Sequence, residues 1–535
     1  MQRSAEFSHK TRTQNLNRLE TEEFDFLVIG GGITGAGVAW DAASRGYKVA
    51  LVEKSDYAHG TSSRSSKLVH GGLRYLENYE FHMVHESLTE RSFLLRSAPH
   101  LVRPLPFYMP VYEDSPHSSY LLSAGMWLYD VLSLFRAPSL HQRLSAGTST
   151  RIIPGIKREG LVCTFKYYDA SMWDDALVID VLVRAHELGA CITSRTKAVE
   201  PGYDAAGNIT EMTIEDEFTQ QKKKIRFKKL IVCAGVWTDE VGKMLDKGTW
   251  HDWLAPSRGV HLVFDWKRIP VPGAVTMQIG DGRIAFVIPR HDYGQGITIV
   301  GTTDGPTTLP PDQIEEEGEA IAKDQAYLLE LLSQYFPTLK LSDADVINHY
   351  IGIRPLVNPK RNHGSSSGNL QKVSREHTID QGPGGSVIVA GGKYTTFRKM
   401  AEEIVDFATK GQDHRAPKTE TLLFAPAHPE KIRRAREVAR SKAYVIPEKI
   451  FERYGADAIK IYQIHISDCD QNVEYPEGFP LLEAQFRYAV RHQMVLTVED
   501  FVRRRQPLHL CRQDHGAPWY PLLEKALKDE LATSK

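Results

Sequence analysis

Three glycines spaced G-x-G-x-x-G, Gly30, Gly32 and Gly35, followed by the acid Glu53, form a pattern whose chemistry is the capture of a dinucleotide. Gly30 permits a tight turn, Gly32 lets backbone amides approach a pyrophosphate, and Gly35 lets the following helix pack close to its strand. Glu53, roughly 20 residues past the glycines, can accept hydrogen bonds from a ribose 2′-hydroxyl, and its charge repels a 2′-phosphate. A second block follows at 61–75, where Thr61, Ser62, Ser63, Ser65 and Ser66 precede Gly71, Gly72, Arg74 and Tyr75. Its small hydroxyls can donate to pyrophosphate and ribityl oxygens without bulk. The glycine pair lets the backbone pass close to a flat ring, and Arg74 with Tyr75 can reach a substrate beyond it. A polar loop with one helix cap would need only a single serine.

These residues require particular elements behind them. Residues 24–29 read as a buried strand running into the glycine turn, and residues 49–52 as a second strand closed by Glu53. Between them the helix 33–44 aims its unpaired N–H groups and the positive end of its dipole at the phosphates. A glycine string alone often marks only a turn; with both strands, the helix and the acid in register it reads as a dinucleotide site.

Further strand signals appear at 230–235, after a charged hairpin-like stretch at 209–227 with a turn at 206–208, and again at 387–392, before a helix-patterned segment at 395–409. The dinucleotide sheet therefore draws on three separated parts of the chain. Residues 252–304 hold short β-rich runs suited to an inserted antiparallel sheet, and 310–336 read as a helix with acids in its early turns. Residues 362–368 form a Ser/Gly loop, and beyond about 415 the chain becomes helix-rich and charged.

At 535 residues the chain exceeds one core and calls for two or three domains. With 66 basic against 67 acidic residues, no global field favours nucleic acid. The basic runs Arg433, Arg434, Arg436 and Arg503, Arg504, Arg505 read as solvated or salt-bridged helix faces, because Glu437, Glu499 and Asp500 lie beside them. Five scattered cysteines without a C-x-x-C pair argue for a reducing compartment and against a zinc site. The first 23 residues lack the apolar core of a signal peptide. The longest apolar stretch, 120–135, is broken by Ser123, Asp130 and Ser133, falls short of the ~20 residues of a spanning helix, and reads as a buried helix, with an interfacial helix as the alternative.

The chain resembles the FAD-dependent, respiratory glycerol-3-phosphate dehydrogenases in three blocks: FDFLVIGGGITGAGVAWDAASRG at 24–46, TSSRSSKLVHGGLRYLE at 61–77 and GGKYTTFRKMA at 391–401. Residues 486–505 are similar to that family's C-terminal helical domain. The resemblance implies an α/β fold: a Rossmann-like FAD-binding domain (23–100, 155–250 and 345–412), an inserted antiparallel-sheet substrate domain (101–154 and 251–344), a helical domain (413–535) and an N-terminal arm (1–22). It implies FAD contacts from Gly30, Gly32, Gly35, Glu53, Thr61, Ser62, Ser66, Lys67, Leu68, His70, Gly71, Val199, Ala234, Gly235, Trp237 and Gly392.

For the substrate it implies Arg74, Tyr75, Arg375 and Thr396, with Arg354, His261 and Lys393 in catalysis. Guanidinium groups suit a phosphate monoester, and so many cations around one cavity would repel one another without an anion. The implied chemistry is hydride transfer from C2 of glycerol 3-phosphate to the flavin, with Arg354 stabilising the oxygen and His261 taking the proton; His70 and Tyr75 are rivals for that role. Quinone as acceptor, peripheral contact with the cytoplasmic face of the inner membrane, and a homodimer follow from resemblance alone; nucleic acid and metal are not expected. An oxidase delivering electrons to oxygen is the alternative, and a non-catalytic flavin sensor a remoter one. Tyr394 stands where the family often has leucine, a change to the pocket wall.

Overall fold

The computed structural model describes residues 6–73, 80–133, 138–246, 248–278, 283–307, 309–316, 318–358, 377–411, 415–421, 424 and 427–532. Its first apolar run, Glu23–Ile29, is the central strand of a parallel sheet. Val49–Val52 and then Cys191–Thr193 lie on one side of it; the end of Lys222–Val232 and then Val387–Ala390 lie on the other. Thr378–Gln381 closes that edge antiparallel. Parallel strands covered on both faces must be apolar at every position, and Val49–Val52 and Val387–Ala390 are buried throughout. Chain order reverses direction at the central strand, the switch point beyond whose carboxyl end such sheets open a crevice.

The helix Ile33–Ser44 follows the glycine turn with the bounds read from the sequence. Asp174–Glu187 and Phe397–Ala408 pack beside it. Lys222–Val232 serves two partners. Its first half alternates exposed lysines with buried Ile225 and Phe227 and pairs antiparallel with Ile209–Asp216, whereas Leu230 to Val232 are buried on both faces within the parallel sheet.

The second sheet runs Gly305–Pro306, Ser257–Asp265, Ile297–Gly301, Ile284–Arg290, Ala274–Gln278, Val102–Tyr112, Leu161–Met172, Leu68–Val69, with Val346–Arg354 on the free side of Ser257–Asp265 and Gln142–Ser145 on Leu161–Met172. Leu161–Met172 and Val346–Arg354 fall inside the 155–250 and 345–412 segments assigned to the FAD-binding domain, yet they hydrogen-bond in this second sheet. Strand signals reveal that a segment is extended but not which partner it takes. On one face of this sheet Val260, Leu262 and Phe264 form a core with Leu328 and Leu332 of the helix Gly318–Tyr335. On the opposite face His261 points toward the parallel-sheet domain through its contact with Ser66.

The N-terminal arm is a helix, His9–Thr21, docked on the parallel sheet: Arg12 pairs with Asp216 at 2.5 Å and Asn15 Nδ2 donates to the Ile192 carbonyl. Residues 427–532 are helical, with no strand among those described, and bury two apolar clusters around Phe486 and Phe501 and around Phe451 and Ile461.

The 120–135 stretch is the helix Ser119–Leu132, and the buried reading is corrected. Met126 and Tyr129 face inward, but Tyr120, Leu121, Trp127, Leu128 and Val131 are exposed, Tyr120 by 87%. Periodicity identifies a helix but cannot tell an outward apolar face from an inward one. Among the described residues, no helix is long and apolar enough to cross a membrane.

Candidate active site

The glycine turn is dictated by close contacts. Gly30 has φ +112°, and a Cβ there would lie 2.4 Å from the Cys233 carbonyl oxygen on the neighbouring strand. A Cβ at Gly35 would sit 1.9 Å from the Gly30 carbonyl oxygen. Gly32 differs: its Cβ would meet only Ser62 Oγ at 3.1 Å, so it borders open space. Gly32 also caps the following helix without a side-chain bond, leaving that helix terminus available to a phosphate. Ile33 N–H donates to Ser62 Oγ at 3.0 Å, which ties the hydroxyl block to the same terminus.

Glu53 closes the second strand, and its carboxylate accepts from Gly31 N–H at 2.6 Å and Ser55 N–H at 2.8 Å. Burial pushes its pKa up, opposed by those two amides. A carboxylate has about four lone-pair sites, so two remain for ribose hydroxyls. Thr196 N–H donates to the Glu53 carbonyl, and three residues on, Val199 is an extra residue in its strand, unpaired across the ladder between Ala198 and Glu200. Ala234 and Gly235 lie at the end of the adjoining strand, and Trp237 after them is flanked by Lys54 at 4.3 Å and His59 at 6.1 Å. Thr61 donates to the Ile353 carbonyl at 2.7 Å, and Leu68 is buried in its short strand. This cradle fits a dinucleotide: open space beside Gly32, a helix terminus whose cap residue has no side chain, and a fixed acid.

Lys67, expected to contact FAD, has partners within the protein as well. Its N–H donates to Ser65 Oγ, its carbonyl accepts from Met172, and its ammonium lies 2.7 Å from Asp174. It orders the loop from within. Asp174 is a hub that sequence reading missed: it also accepts from Ser65 Oγ at 2.7 Å, and its carbonyl accepts from Tyr394 Oη. The family departure at Tyr394 thus ties the late glycine block to the hydroxyl loop. A second missed hub, Asp169, accepts from Gly71 N–H at 3.1 Å and Tyr129 Oη at 2.8 Å and pairs with Arg91. The Asp174–Asp175 pair at a helix start reads as dipole capping, so sequence carried no signal for the hub.

Arg354 ends its strand in the second sheet. Its terminal nitrogens donate to Ser257 Oγ, the Arg258 carbonyl, Thr302 Oγ1 and the Thr303 carbonyl at 3.0–3.3 Å, and to Asp304 at 3.2 Å. The side chain is 25% exposed. His261, 3% exposed, stacks on Tyr350 with ring centres 4.5 Å apart, and its Nε2 lies 2.9 Å from Ser66 Oγ. Burial, reinforced by the positive charges of Arg354 and Lys67, pushes its pKa down to about 3, so the imidazole is neutral at working pH.

Lys393 is half-buried, and Gly392, exposed, precedes it. Thr396 is the buried N-cap residue of Phe397–Ala408. His70 is half-buried next to Gly71. The structure therefore brings His261 and Ser66 together where the second sheet meets the hydroxyl loop, with Arg354, at the end of the strand paired with that of His261, near enough for its charge to act on the ring. Arg74, Tyr75, Arg375 and the 362–368 loop lie outside the described residues. Among the described residues no acid, histidine and cysteine cluster could hold a metal ion.

A dinucleotide sheet, its glycine cradle and an inserted second sheet define an FAD-dependent oxidoreductase. The FAD dependent oxidoreductase profile matches residues 25–395, and the profile for the C-terminal domain of alpha-glycerophosphate oxidase matches residues 418–535. The chain belongs to the aerobic glycerol-3-phosphate dehydrogenase family: it is 33% identical to the Staphylococcus saprophyticus enzyme over 92% of this chain and 88% of that one, and 32% identical to the Staphylococcus aureus enzyme over 91% and 87%. Its cofactor is FAD. The glycerol-3-phosphate dehydrogenase of Bacillus halodurans, solved with FAD, superimposes with TM-score 0.79 at 27% identity, covering 98% of this chain and 94% of that one. The L-alpha-glycerophosphate oxidase of Mycoplasma pneumoniae shares the fold, with TM-score 0.52 at 15% identity over 75% and 98%.

Proposed function

We propose that this protein oxidises sn-glycerol 3-phosphate at C2 to dihydroxyacetone phosphate and delivers the electrons to a membrane quinone. The observation that carries the first half is the Ser66–His261 contact beside a dinucleotide cradle: a neutral imidazole within the field of Arg354. The names of the Staphylococcus and Bacillus relatives support the same substrate. In this reading Arg74, Tyr75, Arg375, Lys393 and Thr396 hold the phosphate, and Arg354 faces the C2 oxygen as negative charge grows there. FAD, when bound, supplies the two-electron acceptor for the hydride.

His261 is too buried to touch the substrate directly, so its reach runs through Ser66. Ser66 takes the substrate's hydroxyl proton as it gives its own to Nε2. A bound phosphate offsets the positive surroundings of His261 and raises its proton affinity. His70 and Tyr75 are the rival acceptors. The test is anaerobic mixing with glycerol 3-phosphate while flavin absorbance is followed. Bleaching is expected; flavin that stays oxidised overturns the reading.

The exposed helix Ser119–Leu132 supports the quinone half. Its outward stripe of Tyr120, Leu121, Ala124, Trp127, Leu128 and Val131 carries no charge, and on its inner face Tyr129 holds Asp169, which fixes Gly71. A stripe on one short helix falls below the ~800 Å² per partner of a stable dimer, but it suits an interfacial helix lying in a lipid headgroup layer. This surface is assigned to the cytoplasmic face of the inner membrane. Leu121→Glu with Trp127→Glu is expected to abolish co-sedimentation with phospholipid vesicles. Loss of a dimer instead would make the stripe a contact between copies.

A specific observation favours oxygen as the alternative acceptor: the profile matched by residues 418–535 is named for an oxidase. Stoichiometric peroxide from substrate in air, without added quinone, would decide for it.

A further inference from the structure

The geometry points to a thermodynamic link between FAD binding and docking of the C-terminal helical domain, carried by Arg504 and Arg505 through Asp56 to the glycine turn. It rests on the reading that Gly30 to Gly35 and Glu53 hold the dinucleotide. Arg504 and Arg505 act as positioning residues.

The link is short. Arg505 places both terminal nitrogens on the Asp56 carboxylate, each at 2.9 Å, and Arg504 Nε donates to the same carboxylate at 2.5 Å. Asp56 and Arg505 are each 1% exposed, in an ion pair that joins residue 56 of the cofactor domain to the helical domain. Burial opposes ionisation of Asp56, but the two guanidinium groups outweigh it and hold the carboxyl at about 2.

The loop carrying Asp56 grips Gly31 from three sides. Glu53 accepts from the Gly31 N–H, Ala58 N–H donates to the Gly31 carbonyl at 3.0 Å, and the Tyr57 ring covers its Cα, leaving a Cβ only 2.8 Å from that ring. Tyr57 in turn donates to Met494 Sδ of the helical domain at 3.1 Å. Asp56 therefore stands one residue from a side chain that packs on the phosphate-binding turn. Moving the helical domain shifts this loop, and with it both the ribose acid and the turn.

Such coupling is reciprocal: if the docked domain favours FAD, FAD favours the docked domain. The test uses full-length apoprotein, stripped of FAD and titrated back. In the parent, FAD is expected to protect residues 427–532 from limited proteolysis. Arg505→Lys keeps the charge but loses the fork that matches a carboxylate. It is expected to weaken FAD binding by about tenfold, within the ~5 to 150-fold range of site-to-site coupling, and to remove the FAD-dependent protection. A merely structural role would lower the melting point of apo and holo forms equally, leaving FAD affinity and the FAD-induced thermal shift unchanged; that result overturns the proposal.

Should Arg505→Lys fail to fold, Asp56→Leu with Arg504→Met and Arg505→Met replaces the whole buried triad by apolar groups, a change interiors often tolerate, while Asp500 keeps Arg195; the same loss of FAD affinity is expected. Gly32→Val separates the underlying reading. If that variant binds FAD normally, the glycine cradle itself is misassigned; if it loses FAD while Arg505→Lys does not, the link alone fails.

Discussion

Arg505 and Arg354 are the same side chain put to opposite uses. Arg505 is consumed by its partner: both terminal nitrogens sit on a buried carboxylate. Among the described residues Arg354 is bonded to neutral acceptors, two hydroxyls and two carbonyls, and to the Asp304 carboxylate, itself a third exposed. Neutral acceptors fix the plane of a guanidinium without cancelling its charge. The chemistry of the partners, more than their number, separates an arginine that holds the fold from one proposed to meet a substrate.

Removing the carboxylate under Arg505 gives the largest expected effect. Asp56→Ala leaves Arg505 buried without its carboxylate, and Arg504 with Asp500, and should cost about 3–5 kcal/mol of unfolding free energy, measured by denaturant titration of the holoprotein. The pH dependence follows from the same residue. Its carboxyl is held at about 2, below the ordinary range, so its stabilisation is present above pH ~4 and lost as pH falls through 2. A parent-like unfolding midpoint in Asp56→Ala would erase the contrast with Arg354.

Arg354→Ala should do the reverse. Flavin reduction by glycerol 3-phosphate is expected to slow by about 3–4 kcal/mol of barrier, as for a lost oxyanion donor, with a shift in unfolding free energy nearer the ~1 kcal/mol of ordinary hydrogen bonds. Stopped-flow absorbance and a melt on the same preparation read both quantities. Slow reduction accompanied by wholesale destabilisation would place Arg354 with Arg505.

This contrast also marks how far the sequence could be read. The cradle from Gly30 to Glu53 was legible because strand, turn, helix and acid lie within one short stretch, where spacing alone brings them together. Arg354 and His261 came only through resemblance, because His261 meets Ser66, and Arg354 meets Ser257 and Thr302, through strand pairings that no local pattern encodes. Asp174 and Asp169 went unread for the same reason: each gathers partners from remote segments, and an acid at a helix start or in a strand looks ordinary by itself. The same holds for the strands Leu161–Met172 and Val346–Arg354, recognisable as extended but not as members of the second sheet.

His261 should give a smaller effect, confined to low pH. Its folded pKa of about 3 lies below the ordinary 6.5, so as pH falls from 6.5 toward 3 the unfolded chain takes up a proton that the folded one refuses. Stability contributed by the neutral imidazole is therefore full above 6.5 and declines through that window. His261→Leu should flatten this part of the stability profile, and the parent's His261 ring resonances should show no titration above pH 5. A titration near 6.5 in the substrate-free protein would mean that the ring is hydrated and feels little of Arg354's charge, contrary to the buried, neutral imidazole of the proposed reaction.

The smallest effect is expected at Arg433, in a run that looks in sequence like the one ending at Arg505. Both runs were read as salt-bridged helix faces, and Arg433 fits that reading: it pairs with Glu430 and Glu437 one turn away on its own helix, over half exposed. Exposed pairs at this spacing are screened by water and salt. Arg433→Ala should leave melting point, FAD affinity and flavin reduction unchanged. Arg504 and Arg505 escape that fate because their carboxylate arrives from residue 56, in another domain, and closes over them. A melting-point loss in Arg433→Ala as large as that in Asp56→Ala would show that the charge pattern of a run, and not the burial of its partner, sets what its arginines do.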